Sequence, residues 1–141
     1  MHKLLSLLAV AGISSTLALP AMAACPAPPA AAAKAAPLNL DQGRRSFLKC
    51  RACHTLPADG KNLVGPNLWN TFSRAPLGAE GFKYSPALTK AAISWTAAEM
   101  DAFLEKPAKH VPGTRMVFAG IPSPEERANL IAYLASETGC K

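Results

Sequence analysis

Acidic residues are scarce in this 141-residue chain: nine Asp and Glu stand against 15 Lys and Arg, a formal charge of +6. A modest positive balance suits an acidic partner or an anionic surface. Aromatics are also few, two Trp, two Tyr and five Phe. They form no basic-aromatic motif, which removes the usual sequence support for nucleic-acid binding. Cysteine is limited to four residues. Cys25 and Cys140 lie at the far ends, so no second pair stands at zinc-ligand spacing. There is no internal repeat and no strand-like alternation, and hence no βαβ setting for a thioredoxin-like redox pair.

The apolar run that does exist is confined to the first residues. His2 and Lys3 precede leucine-rich sequence that finishes at Ala21-Met22-Ala23, an A-x-A cleavage pattern. Residues 1–23 therefore read as a secretory signal peptide, too short and broken to favour a permanent membrane span. Export implies a compartment that permits disulfides, the periplasm in a bacterium. Residues 24–37 are dominated by alanine and proline and read as an extended, partly stiff linker. Residues 38–141 form the expected domain. Loss of Lys3 with the leader leaves 14 basic against nine acidic residues, a charge of +5. So small a domain buries limited apolar surface by itself.

The centre of that domain is Cys50-Arg51-Ala52-Cys53-His54. C-x-x-C-H is the attachment signature of a c-type haem: each thiol can add to one vinyl group, and the adjacent histidine can bind the iron axially. Around it the sequence predicts short helices joined by long loops. Asp41 is placed to cap a helix running through Arg44, Phe47 and Leu48 into Cys50. Gly43 within it suggests close approach of another helix. Residues 55–83 are rich in Gly and Pro and read as loop, with one short turn near Leu68. Ser85-Pro86 opens a short helix. Thr96-Ala97-Ala98-Glu99 is a capping box with Met100, Phe103 and Leu104 behind it, and Pro107 stops that helix. Residues 111–121 form a loop, and Ser123-Pro124-Glu125-Glu126 is a second capping box opening a helix that ends by Gly139. Long loops in so small a domain are unusual; wrapping around a large prosthetic group accounts for them.

A second axial ligand has three downstream candidates. Met100 lies on an apolar helix face and reads better as core. His110 precedes a Pro-Gly turn and reads better as a hydrogen-bonded or surface histidine. Met116 lies in a loop that can carry its side chain over a metal, and a neutral thioether favours ferrous iron and raises the reduction potential. The chemistry favours Met116.

Taken together, the sequence resembles a class I cytochrome c, similar to bacterial cytochrome c2 and mitochondrial cytochrome c. The resemblance rests on Gly43 and Phe47 before the pentapeptide, Gly65-Pro66-Asn67-Leu68, Trp95, residues 112–120 around Met116, and residues 125–134. It implies an all-α cytochrome c fold, a few short helices and long loops wrapped around one covalent haem c. It also implies Cys50 and Cys53 as thioether attachments, His54 and Met116 as axial ligands, and Pro66 as the carbonyl partner of His54. Arg74, Tyr84 and Trp95 fall where the family meets the haem propionates. Thr114 falls where the family bonds a propionate near the methionine, and Phe118 at the exposed haem edge; Gly43 and Tyr133 fall where the first and last helices cross. Leu63 and Ala108 stand where many relatives have docking lysines, leaving Lys49, Lys61, Lys109 and Arg115 for that ring.

The function implied is one-electron transport between redox partners. The donor would be a quinol-oxidising cytochrome complex; the acceptor would be a terminal oxidase, peroxidase or photosynthetic centre. A haem enzyme or gas sensor would need an open iron site, and a fixed respiratory subunit would co-purify stoichiometrically. Cys25 follows Met22-Ala23-Ala24, similar to a lipoprotein box, so a lipid tether through Cys25 is one reading. A Cys25–Cys140 disulfide and free or intermolecular thiols are the others.

Overall fold

The computed structural model describes residues 37–139. The signal peptide, nearly all of the linker, and Cys25 and Cys140 lie outside them. Five helices make up the regular structure of the described residues: α1 (Leu40–Phe47), α2 (Pro86–Ala91), α3 (Ala97–Glu105), α4 (Pro107–His110) and α5 (Pro124–Glu137). None is long and apolar enough to cross a membrane.

Local chemistry sets most helix starts. Ser85, Thr96 and Ser123 each accept a backbone N–H three residues on, and Pro86 and Pro124 occupy the first helical turn. Three expectations need correction. The cap of α1 is Asn39, whose Oδ1 accepts the Gln42 N–H at 2.9 Å; Asp41 lies inside the first turn. The helix ends at Phe47, and the cysteine pentapeptide follows as a turn. Pro107 does not simply stop α3: Glu105 ends it, and Pro107 opens α4.

Both capping boxes are only half formed. Thr96 accepts the Glu99 N–H and Ser123 the Glu126 N–H. The two glutamate carboxylates do not close the boxes. Glu99 reaches His110, and Glu126 reaches Ser46 and Lys49.

α1 crosses α5, and α3 packs on both α5 and α4. A Cβ on Gly43 would run into the Asn129 carbonyl and come within 2.6 Å of the Tyr133 Cβ, so only glycine permits this separation. Phe47 and Tyr133 pack beside the crossing with ring centroids 6.0 Å apart. Asn129 is buried; its Oδ1 accepts the Asn39 N–H at 2.8 Å and its amide donates to Gln42. The core gathers Phe47, Leu56, Ala97, Met100, Leu104, Ile121, Leu130, Ile131 and Leu134. Met100 is therefore core, as its helical spacing predicts. Cys50, Trp95 and Phe118 pack against the same cluster half-buried, which brings three distant parts of the chain to one centre.

Candidate functional site

The pentapeptide is a tight turn on the end of α1. Cys50 N–H donates to the Phe47 carbonyl at 2.8 Å, and the N–H groups of Cys53 and His54 both donate to the Cys50 carbonyl at 3.0 Å. Both cysteines are free thiols, half-buried. Burial pushes the Cys50 thiol up to about 11; the neighbouring Lys49 charge opposes the shift and Cys53 adds to it.

Residues 63–68 are strapped along this turn. The Gly65 N–H donates to the Cys53 carbonyl at 2.9 Å and the Leu68 N–H to the Thr55 carbonyl at 2.8 Å. Between these two bonds, His54 Nδ1 lies 2.8 Å from the Pro66 carbonyl oxygen. A carbonyl only accepts, so Nδ1 carries the proton and Nε2 keeps its lone pair. Burial lowers the His54 pKa, partly offset by this hydrogen bond, which favours the neutral imidazole a metal requires. Gly65 lies flat against the ring: a Cβ there would be 2.7 Å from Nε2 and 2.8 Å from Nδ1.

Asn67 does more than its place in the Gly65-Pro66-Asn67-Leu68 motif disclosed. Buried, it donates to Thr55 Oγ1 at 2.8 Å and to the Pro57 carbonyl at 2.9 Å, and its Oδ1 accepts the Trp69 N–H. It thereby locks the strap to the segment after His54. An asparagine between two loops rich in Gly and Pro is the available hint, because unpaired loop backbone needs such a side chain.

Arg74 and Tyr84 occupy a second region. Arg74 Nη1 donates to the Trp69 carbonyl at 2.9 Å, and the Tyr84 hydroxyl accepts the Ala79 N–H at 3.1 Å. Burial lowers the Arg74 pKa and the nearby Tyr84 hydroxyl counters it. Trp95 packs edge-on to Phe103 at 5.0 Å. Thr114 and Met116 are joined within their loop, the Met116 N–H donating to Thr114 Oγ1 at 3.3 Å, and the Phe118 N–H donates to the Met116 carbonyl at 3.1 Å. His110 is engaged by Glu99. Of the expected docking ring, Lys49 is held by Glu126 and Arg115 Nη2 donates to the Lys83 carbonyl at 2.6 Å. Lys61 and Lys109 are exposed. Two surface grooves, of about 330 and 630 Å³, lie beside Ser46 and Arg74 respectively and are lined by neither cysteine nor His54. The site is recognised by its donor set, not by cavity volume.

Residues 40–138 match the family model described as Cytochrome c. The chain belongs to the cytochrome c family. Among curated relatives, a cytochrome c homolog of Rickettsia felis is 44% identical over 96 residues, 68% of this chain and 55% of that protein. Cytochrome c-type cyt cy of Rhodobacter capsulatus is 47% identical over 93 residues, 65% of this chain and 46% of that protein. The chain thus spans about half the length of these relatives. The solved structure of cytochrome cH from Methylobacterium extorquens superposes with a TM-score of 0.62 at 38% identity, covering 70% of this chain and 98% of that one. The all-α cytochrome c fold follows, and with it the family's cofactor, one covalent haem c. The residues present fit that group. Two free thiols lie at C-x-x-C spacing, and an adjacent imidazole has its proton fixed on the far nitrogen. A glycine faces the ring where any larger residue would crowd it.

Proposed function

We propose that the chain is a monohaem c-type cytochrome that carries single electrons between redox partners. The observation that carries this reading is the His54–Pro66 hydrogen bond inside a C-x-x-C-H turn, which reserves Nε2 for a metal. Bound haem supplies a ferric/ferrous couple. Cys50 and Cys53 would hold the group through thioethers, and His54 Nε2 and the Met116 sulfur would bind its iron. With both residues bound, substrates would have no access to the metal, and the soft thioether would raise the potential.

Pro66 orients His54 and strengthens its donation. Arg74, Tyr84 and Trp95 supply the cationic and hydrogen-bonding partners that buried propionates require. Thr114 serves the same purpose near Met116, and Phe118 lines the edge through which the electron passes. Since Lys49 is paired with Glu126 while Arg115 meets only a neutral carbonyl, docking relies on the thinner positive ring of Lys61, Lys109 and Arg115. The donor is a quinol-oxidising cytochrome complex; the acceptor is a terminal oxidase, peroxidase or photosynthetic centre. The signal peptide directs the protein to the periplasm, and a lipid on Cys25, one of three readings beside a Cys25–Cys140 disulfide and a free or intermolecular thiol, would tether it through the linker.

Co-expression with haem-maturation machinery tests this reading. The product should show a single haem by intact mass and reversible one-electron reduction. It should also show a near-infrared methionine-to-ferric band. A folded, colourless product would refute it. Cys25→Ser should move the protein from membrane to soluble fractions; equal partitioning of both forms removes the tether.

A further inference from the structure

Residues 111–121, the loop that carries Met116, hang from α3 at both ends. The exit is held many times over. Ile121 N–H donates to the Leu104 carbonyl at 2.8 Å. Gly120 lies directly against the Glu105 carbonyl, where a Cβ has no room. Buried Arg127 donates to the Ile121 and Pro122 carbonyls at 2.8 and 2.9 Å while both its Nε and Nη2 engage Asp101.

The entry is held differently. α4 is a single turn without a side-chain N-cap. It is fixed by burial of Pro107 and Val111 and by one side-chain pair, His110 Nε2 to Glu99 Oε2 at 2.9 Å. A carboxylate accepts, so His110 donates. Glu99 is at the third position of α3, where its carboxylate would ordinarily turn back to the Thr96 N–H. That N–H donates to the Ser94 carbonyl instead, and Glu99 is released to reach eleven residues forward. The His110 ring also stands edge-on to Phe103, which stands edge-on to Trp95. Between the two feet, the hydrogen bonds of the described loop residues are internal, Thr114 to Val111, Met116 to Thr114 and Phe118 to Met116. Arg115, bonded to the Lys83 carbonyl, is the exception.

We propose that Glu99 and His110 are positioning residues for Met116. Their pair pins the entry of the loop to α3 and so sets how often the methionine leaves the metal. The proposal rests on Met116 being an axial ligand. A loop pinned redundantly by hydrogen bonds at one end, and at the other by two buried apolar residues and a single side-chain hydrogen bond, opens from the weaker end. The frequency of opening then scales with the strength of that pair. His110 and Glu99 side chains are 26% and 45% exposed, so solvent screens the pair and its effect is modest.

Imidazole is the probe. It binds ferric holoprotein only when the methionine is off, so its apparent affinity reports the population of open loop. Glu99→Ala and His110→Ala should each tighten imidazole binding roughly two- to fivefold, and the double variant no further. Glu99→Gln, which keeps a hydrogen-bond acceptor, should recover most of the wild-type affinity. Global unfolding midpoints are followed in parallel. Unchanged affinity in both alanine variants, or fully additive effects in the double variant, overturns the proposal. Wild-type holoprotein lacking the methionine-to-ferric band takes Met116 off the metal, and the proposal falls with that reading.

Discussion

His54 Nδ1 and the Pro66 carbonyl oxygen are 2.8 Å apart, and Gly65, the residue before Pro66, lies against the face of the imidazole ring. The Gly65 φ lies outside the left-handed region, so the glycine is there for space and not for backbone freedom. Gly65→Ala would place a methyl 2.7 Å from Nε2, closer than atoms pack. The ring must turn or the strap must lift, and either breaks the bond to Pro66. Holoprotein stability should fall by about 1–3 kcal/mol, read from guanidinium unfolding, and recovery of the haem-loaded form should drop. Wild-type stability and yield would contradict the packing argument.

What the sequence discloses here is what neighbouring residues decide. Ser85-Pro86 and Ser123-Pro124 open helices where expected because a cap and an N1 proline act within four residues. The C-x-x-C-H turn is likewise local. What stayed hidden depends on partners far along the chain. Asn39 outcompetes Asp41 as the cap of α1 because Asn129, 90 residues away, holds the Asn39 N–H. Glu99 and Glu126 resemble ordinary capping-box glutamates until His110, Ser46 and Lys49 are seen to take their carboxylates. The bridging role of Asn67 and the turn of α4 stay hidden for the same reason: one links two loops, the other is a single turn held by tertiary contacts.

Met116→Ala removes the proposed thioether. The potential should fall, because a soft donor that favours ferrous iron is gone. The ferrous form should also bind carbon monoxide at neutral pH, which the wild type should not. Potentiometry and a carbon monoxide difference spectrum check both outcomes. An unchanged potential would count against Met116 as ligand.

Gly43→Ala sets two effects of opposite sign against each other. Helix propensity alone favours Ala by about 1 kcal/mol. The added Cβ meets the Asn129 carbonyl and the Tyr133 Cβ, both belonging to α5 and neither a flexible chain end. Prising the two helices apart costs about 1–3 kcal/mol or more, so the variant should be net destabilised, with a lower guanidinium midpoint. A more stable variant would mean that α1 and α5 separate easily.

Glu126 gives a pH-dependent prediction. The hydrogen bond from Lys49 Nζ, at 2.6 Å, holds its carboxyl below the ordinary carboxylate range; burial opposes the shift, and the bond from Ser46 and the Lys49 charge add to it. A carboxylate whose pKa is depressed by folding stabilises the fold above its unfolded pKa. That contribution is lost as the pH falls through the folded value. Lys49 is about half exposed, so the pair is worth no more than roughly 0.5–1 kcal/mol after screening. Glu126→Gln should therefore be slightly less stable than wild type at pH 7. The gap should close as the pH falls below the carboxylate range, where the wild type is protonated too. Added salt at pH 7 should narrow it as well. Urea unfolding at a series of pH values measures this; a gap that stays constant down to acid pH would show that the carboxylate charge contributes nothing and that only the side-chain amide geometry differs.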